Sequence, residues 1–494
     1  MAKAVAEVLR LAVMFVMAAI LLQIPIFSGL LRLSGFHDAC QHCRGSSSAA
    51  SPSHEQLQVD PESGGNGSIR AIPQSRKLQP VGRAQYPFIL FSVYRYALNT
   101  FFVIGETSLV VRAFEHDKPV YDCEWSPMLA NGTVSDSRTL TQAHMIYVKF
   151  DENGMGYGPA LVNCTFNESI GSDGLGGVLR LHVARGPYRG DKFTVEDVLH
   201  EGARTPASAA RKVSTYAFCG PPMYGTIKAR WIQHWLAYHV FLWKADVHFY
   251  FYNIGGFKTA EDYQVVEPYV KAGLLTLIEI ESTAIEDFPA WYKHQLVFIN
   301  DCIHRTRTAG HSWSFFNDFD ELLYFSPPHT VESLIRDHPQ AAWMTFANMP
   351  ASSGHCAVRE ESRWPLERLM WHNKVPECMK AERDPWMCTG SQGRRKYMVN
   401  PSKVFSSGVH RISIPEEGGV DLNGSVARVI HFHGVLSSGS NVCGIPVNMS
   451  HSKQVDDLTN RYDFDQSLSD AVSCHDTDFV LLSNTIYQVV LAED

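Results

Sequence analysis

The chain has 494 residues and a formal net charge of -8, with 43 Lys and Arg against 51 Asp and Glu, so it lacks the basic footprint of a nucleic-acid binder. Apolar residues make up 45% of it and aromatics 11%, which excludes a wholly disordered chain and predicts a large globular core. Its length allows two domains after the N-terminal segment.

Residues 1–10 read as a short cytosolic tail carrying Lys3 and Arg10. Residues 11–31 are uncharged and mostly apolar, enough for a bilayer core that takes about 20 helical residues. The positive-inside rule puts everything after Arg32 on the lumenal side, the orientation of a type II membrane protein. A cleavable signal peptide is the alternative, but its apolar core is normally shorter and ends at a small-residue cleavage site. The run is therefore read as an uncleaved transmembrane signal-anchor.

Two further features agree with a lumenal body. Glycosylation sequons at Asn66, Asn131, Asn163, Asn167, Asn423 and Asn448 all follow the anchor. So do all 11 cysteines, an odd number that leaves at least one free or intermolecular in an oxidising compartment. Cys40-Gln41-His42-Cys43 has the spacing of half a zinc site but no second half nearby. It reads instead as free thiols or as an interchain disulfide, the route to a homodimer.

Residues 32–83 read as a disordered stem, since Ser46-Ser47-Ser48 and Gly64-Gly65-Asn66-Gly67 mark a stretch too polar to bury a core. Over residues 84–205, short β-rich runs at 88–91, 100–104, 108–114, 145–150 and 178–183 predict a small antiparallel β domain. Cys123 and Cys164 fall inside it and are expected to pair. Tyr94, Phe102 and Trp125 could stack on sugars, although aromatics at strand spacing more often form core.

From residue 206 to 450 the texture changes. Residues 227–243 carry apolar side chains at helical intervals, 248–252 read as a strand, 265–272 as a helix and 274–280 as a strand. Such alternation predicts an α/β layered sheet, whose ligands bind beyond the carboxyl ends of its strands. Residues 451–494 form a C-terminal extension.

Within the α/β part, Trp313-Ser314-Phe315-Phe316 leads into Asp318-Phe319-Asp320 and then Glu321-Leu322-Leu323. In an extended segment residues two apart face the same way, so the two carboxylates could share one ion. Hard oxygen ligands select Mg²⁺ or Mn²⁺, which commonly keeps phosphate oxygens in its other positions. The copies Asp463-Phe464-Asp465 and Asp476-Thr477-Asp478 lack that apolar lead-in.

These residues resemble a known family. Asn300-Asp301-Cys302-Ile303-His304-Arg305 followed by Trp313 to Glu321 is similar to the core signature of the family 92 glycosyltransferases, and Trp235-Leu236-Ala237-Tyr238-His239 resembles their Trp-x-x-Tyr-His helix. Val120 to Trp125 and Leu161 to Phe166 are similar to the plant β-1,4-galactan synthase branch. The resemblance implies a GT-A fold behind a carbohydrate-binding-like β domain, a Golgi membrane enzyme, a UDP-sugar donor and Mn²⁺. The branch implies inverting transfer of galactose from UDP-galactose to the polysaccharide acceptor β-1,4-galactan of pectin. Two positions depart from the family: His234 stands where it usually has Glu, and Ala347 where it has an acidic residue.

The resemblance also implies roles. Asp318 and Asp320 would hold the metal, with Glu321 behind them as orienter and a third ligand from Val429-Ile430-His431-Phe432-His433, His433 being preferred to His431. Arg395, Lys396 and His410 match family positions suited to the diphosphate, Lys396 foremost, against the alternative of a solvated basic face. Gln295, Asp301 and Arg305 would touch the nucleotide, unless Asp301 and Arg305 form an internal ion pair. Glu367 aligns with an acidic position and is the candidate base. Cys219 with Cys302 and Cys356 with Cys443 are the implied pairs, while Cys378 and Cys388 are additional to the family-like positions and could pair with each other. The rival readings are the same fold with another UDP-sugar or a glycoprotein or glycolipid acceptor, and a non-catalytic carbohydrate-binding protein. The intact Asp318, Asp320 and Glu321 set argues against the last.

Overall fold

The computed structural model describes residues 74–77, 79–81, 88–108, 119–147, 157–185, 192–194, 199–201, 213–225, 228–244, 246–281, 294–351, 355–357, 371–373, 395–415, 417–432, 445–447 and 462–464. The expected anchor at 11–31, the Cys40/Cys43 pair, Glu367, Cys378, Cys388, His433 and Cys443 lie outside the described residues. Among the described residues no helix is long and apolar enough to cross a membrane.

The first sheet is antiparallel. Its main strands are β1 (Phe88–Ala97), β2 (Thr100–Ser108), β3 (Pro119–Pro127), β4 (Thr139–Tyr147), β5 (Tyr157–Thr165) and β6 (Gly177–Arg185), in the order β6-β3-β4-β5-β2-β1. Strand β2 is apolar on both faces because both are covered. Phe101 and Val103 enter a core with Tyr121, Trp125 and Leu181 around the Cys123–Cys164 disulfide. Phe102 and Ile104, one residue out of phase, enter a core shared with the second sheet. Burial thus removes Phe102 and Trp125 from sugar stacking, and Tyr94 instead donates its hydroxyl to Asp301 across the junction, at 2.6 Å.

The second sheet holds β7 (Tyr216–Met223), β8 (Val247–Asn253), β9 (Leu275–Glu281), β10 (Trp313–Phe316), β11 (Glu321–Phe325), β12 (Trp343–Pro350), β13 (Lys396–Val399) and β14 (Ala427–His431). Their order is β9-β8-β7-β10-β13-β12-β14-β11. Strands β7 to β10 run parallel, and β13 is antiparallel to both its neighbours. Helix α1 (Ala229–Leu242) and helix α2 (Gln295–Ala309) connect and cover them. Helix α2 stops at Gly310, whose φ of 89° is the left-handed conformation that glycine adopts without steric cost. The Cys219–Cys302 disulfide ties β7 to α2, as the resemblance implies.

Part of the expected disordered stem is folded. Gln74–Lys77 adds in parallel to β9, and Gln79–Val81 pairs with β1. An open sheet edge offers main-chain hydrogen bonds to any extended segment, so pairing there needs no apolar side chains. The expected extension after 450 likewise returns at Tyr462–Phe464 to pair with Trp371–Asn373.

Two histidines are buried without charge. Burial lowers His239 to about 3 against the opposing bond to the Trp235 carbonyl, and lowers His304 to about 4 against its bond to the Phe405 carbonyl. Each takes up a proton more readily unfolded than folded, so its contribution is intact above about pH 6.5 and shrinks as the pH falls toward those values. At pH 5 each costs on the order of 2 kcal/mol. Burial raises Glu106 and Glu321, which pull the other way. The informative measurement is therefore the difference in melting temperature between pH 7 and pH 5 for wild type and for His239→Phe. The variant should lose less stability on acidification; an identical loss would contradict the assignment.

Candidate active site

Strands β7, β8 and β9 step away in one direction and β10 returns to the other side of β7, so the sheet order reverses between β7 and β10. A crevice opens beyond the carboxyl ends of strands at such a point. Here Gly220 and Pro221 from β7, Asn317 and Asp318 after β10, Gln295 of α2 and Lys396 of β13 line one cleft.

The carboxylate pair is not extended. Residues 317–320 leave the strand in a turn, closed by the Glu321 N–H donating to the Asp318 carbonyl at 3.1 Å and the Asp318 N–H donating to the Glu321 carboxylate at 2.8 Å. The period-two argument for a shared face therefore fails, and the turn does that work instead. Phe319 turns inward between Trp235 and Phe251, with ring centroids 5.2 and 4.9 Å away. A side chain on Gly220 would come within 3.0 Å of that ring.

Helix α1 holds this segment by a ladder of side chains. Trp231 donates its indole N–H to the Phe319 carbonyl at 2.6 Å, Trp235 to that of Glu321 at 2.9 Å, and the Tyr238 hydroxyl to that of Leu323 at 2.7 Å. Donors at i, i+4 and i+7 share one helix face and meet alternate carbonyls along the segment that runs from the turn into β11. The Trp-x-x-Tyr spacing seen in the sequence is thereby a positioning device for the carboxylate turn. The added Trp231 could have been found from the same helical interval.

Charges converge on the turn. Lys396 lies 2.8 Å from Asp318 and 3.4 Å from Glu321, with its side chain 2% exposed. Asp320 faces His431, Oδ2 to Nε2, at 3.4 Å, and Asn348 donates to Glu321 at 3.4 Å. Glu321 is fully buried, whereas Asp318 is 34% and Asp320 17% exposed. Burial would raise the Asp318 carboxyl, but Lys396 and His431 hold it below the ordinary carboxylate range. Burial pushes Glu321 up to about 7, with Lys396 opposing. It would lower Lys396 and His431, yet the carboxylates around them keep both above their ordinary values.

The structure sorts the other expected residues. Gln295 lines the cleft, and His410 lies beside the carbonyl of Arg395 at 3.3 Å. Arg395 points away from Lys396, as neighbours on a strand do, and is buried against Thr345, the Leu422 carbonyl and Asp421. It is a structural tie, not a phosphate ligand. Asp301 and Arg305 form the internal ion pair at 3.1 Å, and Asp301 also accepts from Tyr94 and Tyr252. Full burial leaves the Asp301 carboxylate no face for a nucleotide. Of the two histidines weighed as third ligand, His431 is brought to the turn by its register opposite Glu321.

Asp318, Asp320 and His431 offer two carboxylates and an imidazole, each partly exposed and Asp318 lining the cleft, and such donors suit Mn²⁺. The donor set fits in kind. Among the described residues, no three His, Cys, Asp or Glu side chains stand as a ready-made cage, and Lys396 and His431 lie at ion-pair distance from Asp318 and Asp320.

The family model of glycosyltransferase family 92 matches residues 214–469, which span the whole of this site. The chain belongs to that family. This glycosyltransferase is 32% identical over 378 residues to galactan β-1,4-galactosyltransferase GALS2 of Arabidopsis thaliana, covering 73% of the chain and 68% of that protein. It is 28% identical over 400 residues to GALS1 of the same plant, covering 78% and 74%, and 29% identical over 397 residues to GALS3, covering 76% and 72%. Family membership makes the chain a hexosyltransferase, an enzyme that takes a nucleotide-sugar donor and a polysaccharide acceptor.

Proposed function

We propose that this glycosyltransferase is an inverting, metal-dependent enzyme of GT-A type that moves galactose from UDP-galactose to β-1,4-galactan side chains of pectin, its catalytic part lumenal at the Golgi membrane. The observation that carries the reading is the cluster of Asp318, Asp320, Lys396 and His431 at the strand-order reversal, in a chain related to galactan galactosyltransferases. Asp318, Asp320 and His431 would hold Mn²⁺ or Mg²⁺; when bound, it supplies positive charge to the departing diphosphate. Glu321 keeps the turn closed through the Asp318 N–H, and Lys396 balances both carboxylates. Inversion needs one in-line displacement with a carboxylate taking the acceptor proton, and Glu367 is proposed for that step. The first sheet, which grips α2 through Tyr94 and Glu106, is proposed as the carbohydrate-binding-like part.

A second reading keeps the chemistry and changes the sugar or acceptor. It is favoured by His234 and Ala347, both buried, at positions where the resemblance expects acidic residues. A donor screen separates the two. Purified protein with Mn²⁺ and a β-1,4-galactan acceptor should consume UDP-galactose faster than UDP-glucose, UDP-xylose or UDP-arabinose. Equal rates for all donors would remove the first reading.

A further inference from the structure

We propose that Asn317 reads the uncharged part of the donor nucleotide through its side-chain amide, a role that rests on the function proposed above. Asn317 directly precedes Asp318, is 2% exposed, and lines the same cleft as Lys396 and Gln295. Among the described residues, neither its Nδ2 nor its Oδ1 has a hydrogen-bond partner. Among the other buried asparagines, Asn348 leaves only its Oδ1 unpartnered, its Nδ2 reaching Glu321, while Asn300 and Asn253 are satisfied at both ends. Asn300 donates to the Leu296 and Ser407 carbonyls and accepts from the Ser407 N–H, and Asn253 donates to Glu279 while accepting from the Gly256 and Phe257 N–H groups.

Burying an amide with both ends unmade costs free energy, and native proteins rarely leave one so without reason. A ligand that supplies both partners gives the reason, and the location says which ligand. The cleft sits at the strand-order reversal, with Pro221, Phe298 and Val409 as apolar walls and Lys396 as its cation. A neutral amide presents one donor and one acceptor. That matches either a base edge carrying an N–H beside a carbonyl, or a ribose hydroxyl, and leaves the phosphates to the charged groups. The amide thus has both ends available for a partner that arrives with the donor.

Calorimetric titration of the detergent-solubilised full chain with UDP and Mn²⁺ tests this. Asn317→Leu should weaken UDP binding by at least about tenfold, the loss of a pair of hydrogen bonds. Its melting temperature without nucleotide should equal or exceed that of wild type, because two orphaned polar atoms are gone. A merely structural asparagine predicts the reverse, a lower melting temperature with unchanged affinity, and that result would overturn the role. Asn317→Ala, which introduces no new bulk, repeats the test should the leucine variant misfold. N3-methyl-UDP and 2′-deoxy-UDP separate the two sources: the analogue that weakens wild type but not Asn317→Leu marks the group being read. Wild type binding UDP as well as Asn317→Leu does sinks this role alone. Wild type binding no UDP sinks the proposed function and this role together.

Discussion

Alanine at Asp320 is expected to lower sugar transfer by about 10³-fold, the scale for removing a group that stabilises charge developing in the transition state. The substitution also takes from His431 the carboxylate it faces at 3.4 Å, so two of the three donors proposed for the metal are disturbed at once. The fold should hardly notice. Asp320 and His431 are 17% and 13% exposed, and losing one such pair at the edge of the site costs on the order of 1 kcal/mol. Initial rates at saturating Mn²⁺, read beside a thermal melt, distinguish a lost reaction from a lost structure. Full transfer by Asp320→Ala would end the metal-assisted reading of the cleft.

Lys396→Met should remove transfer and destabilise the protein together. The ammonium is buried between Asp318 at 2.8 Å and Glu321 at 3.4 Å, and without it two carboxylates share a site with one fewer cation. Breaking a buried pair from one side typically costs about 3–5 kcal/mol. The cost falls at the low end if Glu321, already raised to about 7 by burial, takes a proton in response. Urea unfolding at pH 7.5 gives the number as a shift in midpoint at constant slope. Methionine is the fair replacement because it fills most of the same volume, so the loss reports on charge and not on a cavity. An unchanged midpoint would mean that the ammonium does not hold the carboxylates in solution.

The elements nearest the site were readable because their signals are local. The apolar run at 313–316 is β10 residue for residue, and the expected strand at 248–252 and helix at 227–243 differ from β8 and α1 by one or two residues at each end. The β-rich run at 100–104 was equally visible and lies in β2, although only the second core explains why both its faces are apolar. Asp318, Asp320, Glu321 and Lys396 were singled out in advance, and the structure gathers them at one place. The extended carboxylate pair was not borne out, because its shape depends on a carboxylate three residues on accepting an N–H. Nor could the chain order show that Asp301 is spent on Tyr94, a partner 207 residues away. Arg395 and Lys396 are neighbours of like charge, and strand alternation sends one into packing and the other into the cleft.

What the amino-acid order determined alone is the inventory: two textures of secondary structure, an aromatic helix face, and carboxylates at the end of an apolar strand. Those follow from periodicity and residue chemistry, which act over a few residues. The tertiary structure decided which charges neutralise one another and which polar groups are left waiting. Desolvation and pairing depend on what stands within a few ångströms in space, so Lys396 meets Asp318 across 78 residues while the amide of Asn317, the residue before Asp318, finds no hydrogen-bond partner among the described residues.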